Sequence, residues 1–203
     1  MIKIKIIRHS ERLDYTHPFY WLLCIGHYWS DTPLTDNGYK MANLKGKELS
    51  LEENFHPKHI CTSPYVRTMS TSTEIQHSFP QSKIIIEPLL SETQLMWKHR
   101  VNLYPNGIPT MFDGKETDFS YPESTENFSR RVLFVINGLL TKYSDDFIIV
   151  THGEVLKVFA NHIQKLYPDC LLDVGDVPYL TTISFSYDKN QEIILEEGIS
   201  VSI

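Results

Sequence analysis

The sequence lacks a long hydrophobic run. Its longest apolar stretches, such as Ile4–Ile7 and Phe19–Ile25, are far shorter than the roughly 20 residues that a transmembrane helix needs. The first residues, Met1–Ile7, alternate isoleucine with lysine and lead directly into Arg8, so they do not form the apolar stretch of a signal peptide. We therefore expect no membrane-spanning helix and no membrane as a partner.

An excess of positive charge is also missing. The chain carries 19 Lys and Arg residues against 25 Asp and Glu residues, and its formal net charge at pH 7 is −6. Proteins that bind the phosphate backbone of nucleic acids need a basic face. The charge balance therefore argues against a nucleic-acid partner, although it is compatible with a small basic pocket on an acidic body.

Cysteine is scarce. The three cysteines, Cys24, Cys61 and Cys170, are odd in number and widely spaced, which favours a reduced location in the cytoplasm or the nucleus over a disulfide framework. A chain of 203 residues with 41% hydrophobic residues can bury a sufficient core without disulfides or metal ions. Because the sequence has no internal repeat and no flexible linker, we expect one domain over residues 1–203.

The dominant pattern is an alternation of strands and helices. Period-two or fully apolar segments predict strands at Met1–Ile7, His59–Ser63, Lys83–Glu87 and Phe147–Val150, with a hairpin of Tyr179–Tyr187 and Glu192–Glu196. Helices are predicted at Tyr39–Leu49, from Pro64 to about Ser78, from Ser124 or Thr125 onward, and at Val155–Leu166. This alternation predicts an α/β fold with three α/β/α layers and a mostly parallel central sheet.

Two segments do not follow this alternation. Residues 13–30 form an irregular, aromatic-rich insertion that contains Phe19, Trp21 and Trp29. These aromatic side chains either wall the mouth of a pocket or pack on the sheet, and the sequence supports both interpretations. Residues 93–122 are irregular and contain several prolines and glycines, a composition typical of a long, cap-like surface segment.

Polar side chains follow three of the predicted strands. Arg8 and His9 follow the first strand, Arg67 lies one turn into the helix after the second, and His152 follows the fourth. Because ligands bind at the carboxyl ends of parallel strands, we expect these residues to meet at one edge of the sheet, where Arg12 adds a third guanidinium. Guanidinium groups bind phosphate oxygens in a bidentate manner, so the sequence predicts a phosphate pocket.

Such a pocket contains the groups that phosphoryl transfer requires. Neighbouring cations lower the proton affinity of an imidazole, and a neutral imidazole, on His9 or on His152, can attack phosphorus. The arginines stabilise the charge on the phosphoryl group during transfer. The leaving oxygen needs a proton, for which Glu92 is the first candidate. Glu87, at a strand end beside Pro88, is the alternative unless it simply faces solvent.

Four motifs resemble those of the histidine phosphatase superfamily, which is also called phosphoglycerate mutase-like. They are Arg8–Arg12, similar to its Arg-His-Gly motif; Asp31–Gly38, similar to its D-x-P-L-T-x-x-G segment; Ser63–Arg67, similar to its S-P-x-x-R; and Thr151–Gly153, similar to its second-histidine motif. The motifs follow the family's order along the chain. The resemblance implies the histidine phosphatase fold.

Further features resemble the phosphatase domains of the suppressor of T-cell receptor signalling proteins and the ecdysteroid-phosphate phosphatases. They are the run at Arg8–Asp14, the aromatic insertion after it, Glu87–Glu92, Glu123 with Ser124, and Val177–Leu180. The resemblance covers nearly the whole chain except residues 93–120, where this sequence is shorter. It implies a phosphatase, and it suggests a homodimer. If the aromatic side chains of residues 13–30 wall the pocket mouth, they suit an aryl or apolar phosphate, such as protein phosphotyrosine.

The resemblance also implies roles for individual residues. His9 is the nucleophile that becomes phosphohistidine, and Glu92 gives the leaving group its proton. The phosphate is held by Arg8, Arg67 and His152, with Arg12 as an additional contact, and His152 also counts among the catalytic residues. The substrate is a phosphorylated small molecule or a phosphoprotein, and no metal ion or organic cofactor is expected.

Three alternatives remain open at this point. Ser10 stands where the superfamily usually has glycine, so that its side chain either crowds the pocket or adds a hydroxyl contact. This departure weakly favours a pseudo-enzyme that binds phosphate without turnover. Cys61 and Arg67 have the Cys-x5-Arg spacing of cysteine phosphatases, but Pro64 lacks an N–H that such a phosphate loop needs. A phosphoglycerate-type mutase is less favoured, because the insertion after Arg12 does not resemble the mutases.

Overall fold

A six-stranded sheet with helices on both faces is the framework of the computed structural model, which describes residues 1–24, 31–93, 122–168, 175–188 and 193–195. The strands are β1 (Ile2–Arg8), β2 (His59–Thr62), β3 (Lys83–Ile86), β4 (Phe147–Thr151), β5 (Thr182–Tyr187) and β6 (Ile193–Leu195). They lie in the order β3-β2-β4-β1-β5-β6. The first four of these are mutually parallel, whereas β5 and β6 are antiparallel to their neighbours. The mostly parallel sheet predicted from the sequence is confirmed.

The helices of the described residues are α1 (Leu13–Thr16), α2 (Pro18–Cys24), α3 (Asp36–Ser50), α4 (Val66–Gln76), α5 (Thr125–Lys142) and α6 (Gly153–Leu166). The side chain of the N-cap residue caps α3 and α5, because the first N–H groups of a helix have no partner within it. Thr35 accepts a hydrogen bond from the Gly38 N–H at the start of α3, and Ser124 accepts one from the Asn127 N–H at the start of α5.

Alternate side chains of the strands pack on opposite faces of the sheet. On one face, Ile4, Ile6, Phe147 and Ile149 join the apolar side of α5 and α6 in a buried cluster. On the other face, residues such as Ile7 and Ile148 pack with Leu49 of α3 and Ile75 of α4. Because both faces are covered by helices, the sheet has the three-layer arrangement that the sequence predicted.

Two sequence-based predictions of secondary structure were wrong. The insertion after Arg12 is not irregular at its start, since it forms the short helices α1 and α2. Pro64 does not open α4, because Tyr65 has an extended backbone and precedes the first helical residue, Val66. Residues 25–30 of the insertion, and all but the ends of the predicted cap-like segment 93–122, lie outside the described residues. Within the described ranges, every helix is too short or too polar to cross a bilayer.

Candidate active site

The carboxyl ends of the four parallel strands lie side by side at one edge of the sheet. Backbone hydrogen bonds extend the pairing just past these ends, from the His9 N–H to Thr151 O (2.8 Å) and from the Ser63 N–H to Val150 O (3.1 Å). Helices α4 and α6 begin at the same edge, and His152 is the N-cap residue of α6. The positive ends of both helix dipoles therefore face this edge and favour a bound anion.

The structure brings the six residues predicted for the site to this edge: Arg8, His9, Arg12, Arg67, Glu92 and His152. The ring centroids of His9 and His152 are 5.4 Å apart. Glu92 Oε1 lies 2.6 Å from Arg67 Nη2, 3.1 Å from His152 Nδ1 and 3.9 Å from Arg12 Nη1. The Arg8 side chain runs beside Gly153, the residue after His152. The predicted convergence is therefore present, while the roles of these residues stay predictions.

His9 is buried, and its contacts determine which ring nitrogen carries the proton and whether the ring is charged. Its Nδ1 lies 2.8 Å from the carbonyl oxygen of Ser10. A carbonyl oxygen only accepts hydrogen bonds, so Nδ1 carries the proton and Nε2 keeps its lone pair. Burial, followed by the positive charge of Arg67, lowers the pKa of His9 well below its usual value. The ring is therefore neutral at neutral pH, as a nucleophile must be.

Arg67 is almost completely buried in the first turn of α4. It donates a hydrogen bond to Glu92 through Nη2, and its Nη1 lies 3.7 Å from Asp31 Oδ1. Its Nε and Nη1 atoms have no hydrogen-bond partner among the described residues, and the same holds for Nε of Arg8. Buried N–H donors without an acceptor cost free energy, so both side chains are suited to bind the oxygens of an anion.

Each of the three guanidinium groups stacks on a tyrosine ring, which sequence reasoning did not predict. The distances from guanidinium carbon to ring centroid are 4.6 Å for Arg8 and Tyr179, 4.4 Å for Arg12 and Tyr15, and 4.3 Å for Arg67 and Tyr65. Such cation–π contacts hold a guanidinium in a fixed plane. Two signals were available in the sequence, because Tyr65 lies inside the S-P-x-x-R motif and Tyr179 inside Val177–Leu180.

Arg8 and Arg12 differ from Arg67 in their other contacts. Arg8 donates a hydrogen bond to the carbonyl oxygen of Val177. Arg12 forms a bidentate pair with Asp14, with distances of 2.7 and 2.6 Å. Because Asp14 neutralises much of the charge on Arg12, Arg12 supplies less positive charge for an anion than Arg8 does.

His152 bridges a hydroxyl and a carboxylate. Its Nε2 lies 2.8 Å from Ser63 Oγ, and its Nδ1 lies 3.1 Å from Glu92 Oε1. An ionised carboxylate only accepts, so Nδ1 carries the proton and Nε2 accepts a hydrogen bond from the Ser63 hydroxyl. Burial, only partly offset by Glu92, lowers the pKa of His152 to about 4. A neutral His152 is thus available as a hydrogen-bond donor beside His9.

Glu92 follows a short 3₁₀ turn, Pro88–Leu90, at the end of β3. Glu87, the alternative proton donor, is buried, and its carboxylate accepts a hydrogen bond of 3.1 Å from the Leu89 N–H. Of the two possibilities left open for Glu87, exposure to solvent is therefore excluded, because the first N–H groups of the turn need an acceptor. Glu87 caps the turn that carries Glu92.

A metal ion also has to be considered at this edge. One donor atom from each of His9, Glu92 and His152 lies within 4.8 Å of the others, so these three side chains have the spacing of a metal site. The guanidinium of Arg67 is hydrogen-bonded to that same glutamate, and its charge repels a cation while attracting an anion. The electrostatics of the cluster therefore favour phosphate over a metal ion.

The sequence of residues 6–197 matches the pattern of the histidine phosphatase superfamily (branch 1). This chain belongs to that superfamily. An uncharacterized phosphoglycerate mutase family protein of Acanthamoeba polyphaga mimivirus is 56% identical over 201 residues, which are 99% of this chain and 98% of the relative. The ecdysteroid-phosphate phosphatase of Drosophila melanogaster is 29% identical over 208 residues, with 79% of this chain and 27% of that longer protein covered.

A solved structure shows the same fold. The ecdysone phosphate phosphatase of Bombix mori, crystallised with tungstate, superposes with a TM-score of 0.69 at 19% sequence identity, and the match covers 100% of this chain and 96% of that one. The histidine phosphatase fold predicted from the motifs is therefore confirmed.

The Asp31–Gly38 motif of the superfamily has a structural explanation in this chain. Asp31 Oδ1 accepts a hydrogen bond of 2.9 Å from the Val66 N–H and so caps α4, the helix that carries Arg67. A Cβ atom on Gly38 would lie 2.4 Å from the carbonyl oxygen of Glu11, closer than any side chain allows. The motif therefore holds the loop after His9 and the start of α4 in place, a role that sequence reasoning did not assign to Asp31.

Ser10, where the superfamily usually has glycine, donates two hydrogen bonds. Its hydroxyl donates to the carbonyl oxygen of Gly38 in α3 (2.7 Å), and its N–H donates to Thr71 Oγ1 in α4 (3.0 Å). The hydroxyl is thus bonded to helix α3. This contact is made to the protein backbone, and the effect of Ser10 on activity stays a prediction.

Cys61 lies within β2 and is buried in the cluster formed with α5 and α6. Burial raises the pKa of its thiol to about 12. A cysteine phosphatase needs a thiolate at neutral pH, so the geometry and the protonation state both argue against Cys61 as the nucleophile.

The described part of the aromatic insertion lies next to the site. Tyr15 stacks on Arg12 and is exposed, and Phe19 and Tyr20 are 80% and 60% exposed. These three side chains therefore do not pack on the sheet. Trp29 lies outside the described residues.

Proposed function

We propose that this protein is a phosphatase that hydrolyses a phosphate monoester through a phosphohistidine at His9. The observation that carries the proposal is the buried, neutral ring of His9, whose Nδ1–H donates to Ser10 O and leaves Nε2 as a nucleophile beside Arg67 and His152. Membership of the histidine phosphatase superfamily supports the same chemistry.

The reaction has two steps. In the first, Nε2 of His9 attacks phosphorus, the bond from phosphorus to the ester oxygen breaks, and Glu92, which has taken up a proton from solvent on substrate binding or from water in the previous cycle, gives that proton to the ester oxygen. In the second, Glu92 takes a proton from a water molecule whose oxygen attacks phosphorus, the bond from phosphorus to nitrogen breaks, and inorganic phosphate leaves. Arg8, Arg67, the Nδ1–H of His152 and the start of α4 stabilise the negative charge in both steps.

We propose an aryl or apolar phosphate as the substrate, with protein phosphotyrosine as one member of this class. Tyr15, Phe19 and Tyr20 present exposed aromatic rings on α1 and α2, and the ring of Tyr15 stacks on Arg12 at the site. The name of the Drosophila relative, a phosphatase of ecdysteroid phosphates, points to an apolar leaving group as well. Comparable kcat/KM values for phosphotyrosine and 3-phosphoglycerate would contradict this substrate class.

A mutase is the second candidate, because the mimivirus relative is named as a phosphoglycerate mutase family protein. A mutase passes the phosphoryl group from histidine to a second hydroxyl of an acceptor, whereas a phosphatase passes it to water. Incubation with 3-phosphoglycerate separates the two, since the phosphatase releases inorganic phosphate and the mutase produces 2-phosphoglycerate.

The test of the proposed function is the release of nitrophenol from p-nitrophenyl phosphate by the wild-type protein, His9→Ala and Cys61→Ala. We expect activity in the wild type and in Cys61→Ala, and a loss of at least about a thousandfold in His9→Ala. Chelation by EDTA should not change the rate. Absence of nitrophenol at every pH would favour a protein that binds phosphate without turnover, and an inactive Cys61→Ala beside an active His9→Ala would favour a cysteine phosphatase.

We further propose a cytoplasmic or nuclear location, on the basis of the cysteine content, and a homodimer, on the basis of the family resemblance. Imaging of a fluorescent fusion in transfected cells tests the location. Light scattering of the purified protein tests the dimer.

A further inference from the structure

The guanidinium of Arg131 is fully buried in α5 and contacts the Glu92 backbone, whereas Arg67 contacts the Glu92 carboxylate. It forms a bidentate ion pair with the buried Glu123, in which Nε and Nη2 lie 2.7 Å from the two carboxylate oxygens. Its remaining N–H groups donate to three backbone carbonyl oxygens, those of Leu89 (2.6 Å), Ser91 (3.1 Å) and Glu92 (3.1 Å). All five N–H groups of the guanidinium therefore have an acceptor.

These carbonyl oxygens belong to the segment that ends at the proposed proton donor. The one carbonyl of this segment that Arg131 does not contact, that of Leu90, accepts a hydrogen bond of 2.6 Å from Thr151 Oγ1. Four consecutive carbonyl groups, from Leu89 to Glu92, are thus held by side chains of α5 and β4. Buried carbonyl groups outside regular secondary structure need such donors, so the path of this segment depends on them.

We propose that Arg131, together with Glu123, is a positioning residue for the proton donor Glu92. The proposal rests on the proposed function, in which the Glu92 carboxyl gives a proton to the leaving oxygen. Glu123 keeps the Arg131 fork in one orientation, and the fork fixes the backbone from which the Glu92 side chain reaches Arg67 and His152. Arg131 itself does not touch the phosphate.

The variant Arg131→Lys keeps the positive charge at position 131 but changes the number and arrangement of the hydrogen-bond donors. Its ammonium group keeps a positive charge opposite Glu123, but it is a point charge with three donors and lacks the planar fork that reaches two carboxylate oxygens and three carbonyl oxygens together. We therefore expect Arg131→Lys to fold and to leave the Glu92 carboxylate displaced from the leaving oxygen.

The experiment compares two substrates that differ in their need for a proton. The nitrophenolate of p-nitrophenyl phosphate leaves as an anion at neutral pH, whereas the phenolate of phenyl phosphate, whose conjugate acid has a pKa of about 10, needs protonation. We expect Arg131→Lys to lower kcat/KM for phenyl phosphate by about 10- to 100-fold and for p-nitrophenyl phosphate by no more than about threefold. Glu92→Gln should show the same selectivity to a larger extent.

Two further variants complete the experiment, one as a control for helix stability and one as a replacement for Arg131→Lys. Val135→Ala, one turn along α5 in the buried cluster, destabilises the same helix but removes no hydrogen bond of Arg131, so it should lower both rates equally or not at all. If Arg131→Lys does not fold, Glu123→Gln takes its place, because it keeps one acceptor for Arg131 and removes the charge that fixes the fork.

The outcomes distinguish this proposal from the proposed function. Selective loss in both Glu92→Gln and Arg131→Lys supports both. Selective loss in Glu92→Gln with equal or no loss in Arg131→Lys overturns the positioning role and leaves the phosphatase mechanism intact. Equal loss on both substrates in Glu92→Gln overturns the assignment of Glu92 as the proton donor and the role of Arg131 with it.

Discussion

Arg67 and Glu92 are joined by a hydrogen bond of 2.6 Å between Nη2 and Oε1, so that the proposed phosphate ligand and the proposed proton donor are ion-paired with each other. A phosphate at this edge of the sheet has to share Arg67 with the carboxylate. The two negative charges then repel each other across a few ångströms of protein with a low dielectric constant. Glu92 thus weakens the binding of an anion through its negative charge, whereas in catalysis it is the proposed proton donor.

The first prediction concerns the binding of inorganic phosphate. Glu92→Gln removes one negative charge while keeping a side chain of the same length, so we expect the inhibition constant of phosphate to fall by about tenfold, which corresponds to about 1.4 kcal/mol. Competitive inhibition of p-nitrophenyl phosphate hydrolysis measures it. Asp14→Asn also removes an acidic partner of an arginine at the site, so it should lower the inhibition constant as well. Weaker phosphate binding in Glu92→Gln would contradict this view of the ion pair.

The second prediction concerns Ser10, whose hydroxyl donates to the Gly38 carbonyl in α3. Ser10→Ala removes this buried hydrogen bond, so we expect the free energy of unfolding to fall by about 1 kcal/mol. Because the hydroxyl is bonded to the backbone of α3, it is not available to contact the phosphate. The kcat/KM for p-nitrophenyl phosphate should therefore change by less than about twofold. Urea unfolding and steady-state kinetics provide the two readouts. A large loss of activity with unchanged stability would place the hydroxyl in contact with the phosphate instead.

The third prediction concerns the dependence of stability on pH. Burial lowers the pKa of His152 from 6.5 to about 4, so between these values the unfolded chain binds a proton that the folded protein does not. The free energy of unfolding contributed by this group is therefore complete above pH 6.5 and falls as the pH decreases toward 4. The slope approaches about 1.4 kcal/mol per pH unit.

His152→Asn tests this linkage, because asparagine does not titrate in this range. Urea unfolding curves at several pH values should show a shallower loss of stability in the variant than in the wild type between pH 6.5 and 4. His9 shifts in the same direction, so some pH dependence remains in the variant. Parallel curves for the two proteins would show that His152 is not buried in its neutral form.

The fourth prediction concerns Cys61. The thiol is buried in the core and its pKa is raised to about 12, so iodoacetamide should not modify it in the folded protein. Cys61→Ala leaves a small cavity that costs about 1 kcal/mol of stability, while the activity should be unchanged. Mass spectrometry after alkylation, with and without denaturant, measures the reactivity. Rapid modification of Cys61 in the folded protein, with loss of activity, would contradict this prediction.

The sheet and the convergence of the site residues could be predicted from the sequence, because both follow from local patterns. Apolar strands alternating with amphipathic helices are characteristic of a parallel sheet, and polar residues at the ends of parallel strands necessarily lie on one edge. Arg8, His9 and His152 were therefore placed correctly before the fold was known. The short helices α1 and α2 were missed, since four and seven residues are too few for a helical period to be visible.

The partners of buried polar side chains could not be predicted in this way. The sequence allowed Glu87 to face solvent, yet it caps the turn before Glu92. Arg131 is separated by 39 positions from the Glu92 carbonyl that it contacts, so that only the packing of α5 on the sheet brings the two together. The tyrosines that stack on the three arginines come from three different segments of the chain. Such contacts depend on tertiary structure and leave no period in the sequence.

The central claim is a covalent bond between phosphorus and His9, and trapping of the phosphoenzyme tests it most directly. The protein is mixed with p-nitrophenyl phosphate, quenched in alkali, and its peptides are mapped by mass spectrometry. We expect a phosphoryl group on the peptide that contains His9 in the wild type and in Cys61→Ala, and none in His9→Ala. This group should survive alkali and be lost in acid, as a phosphoramidate is. An acid-stable phosphoryl group on any other residue would contradict the account.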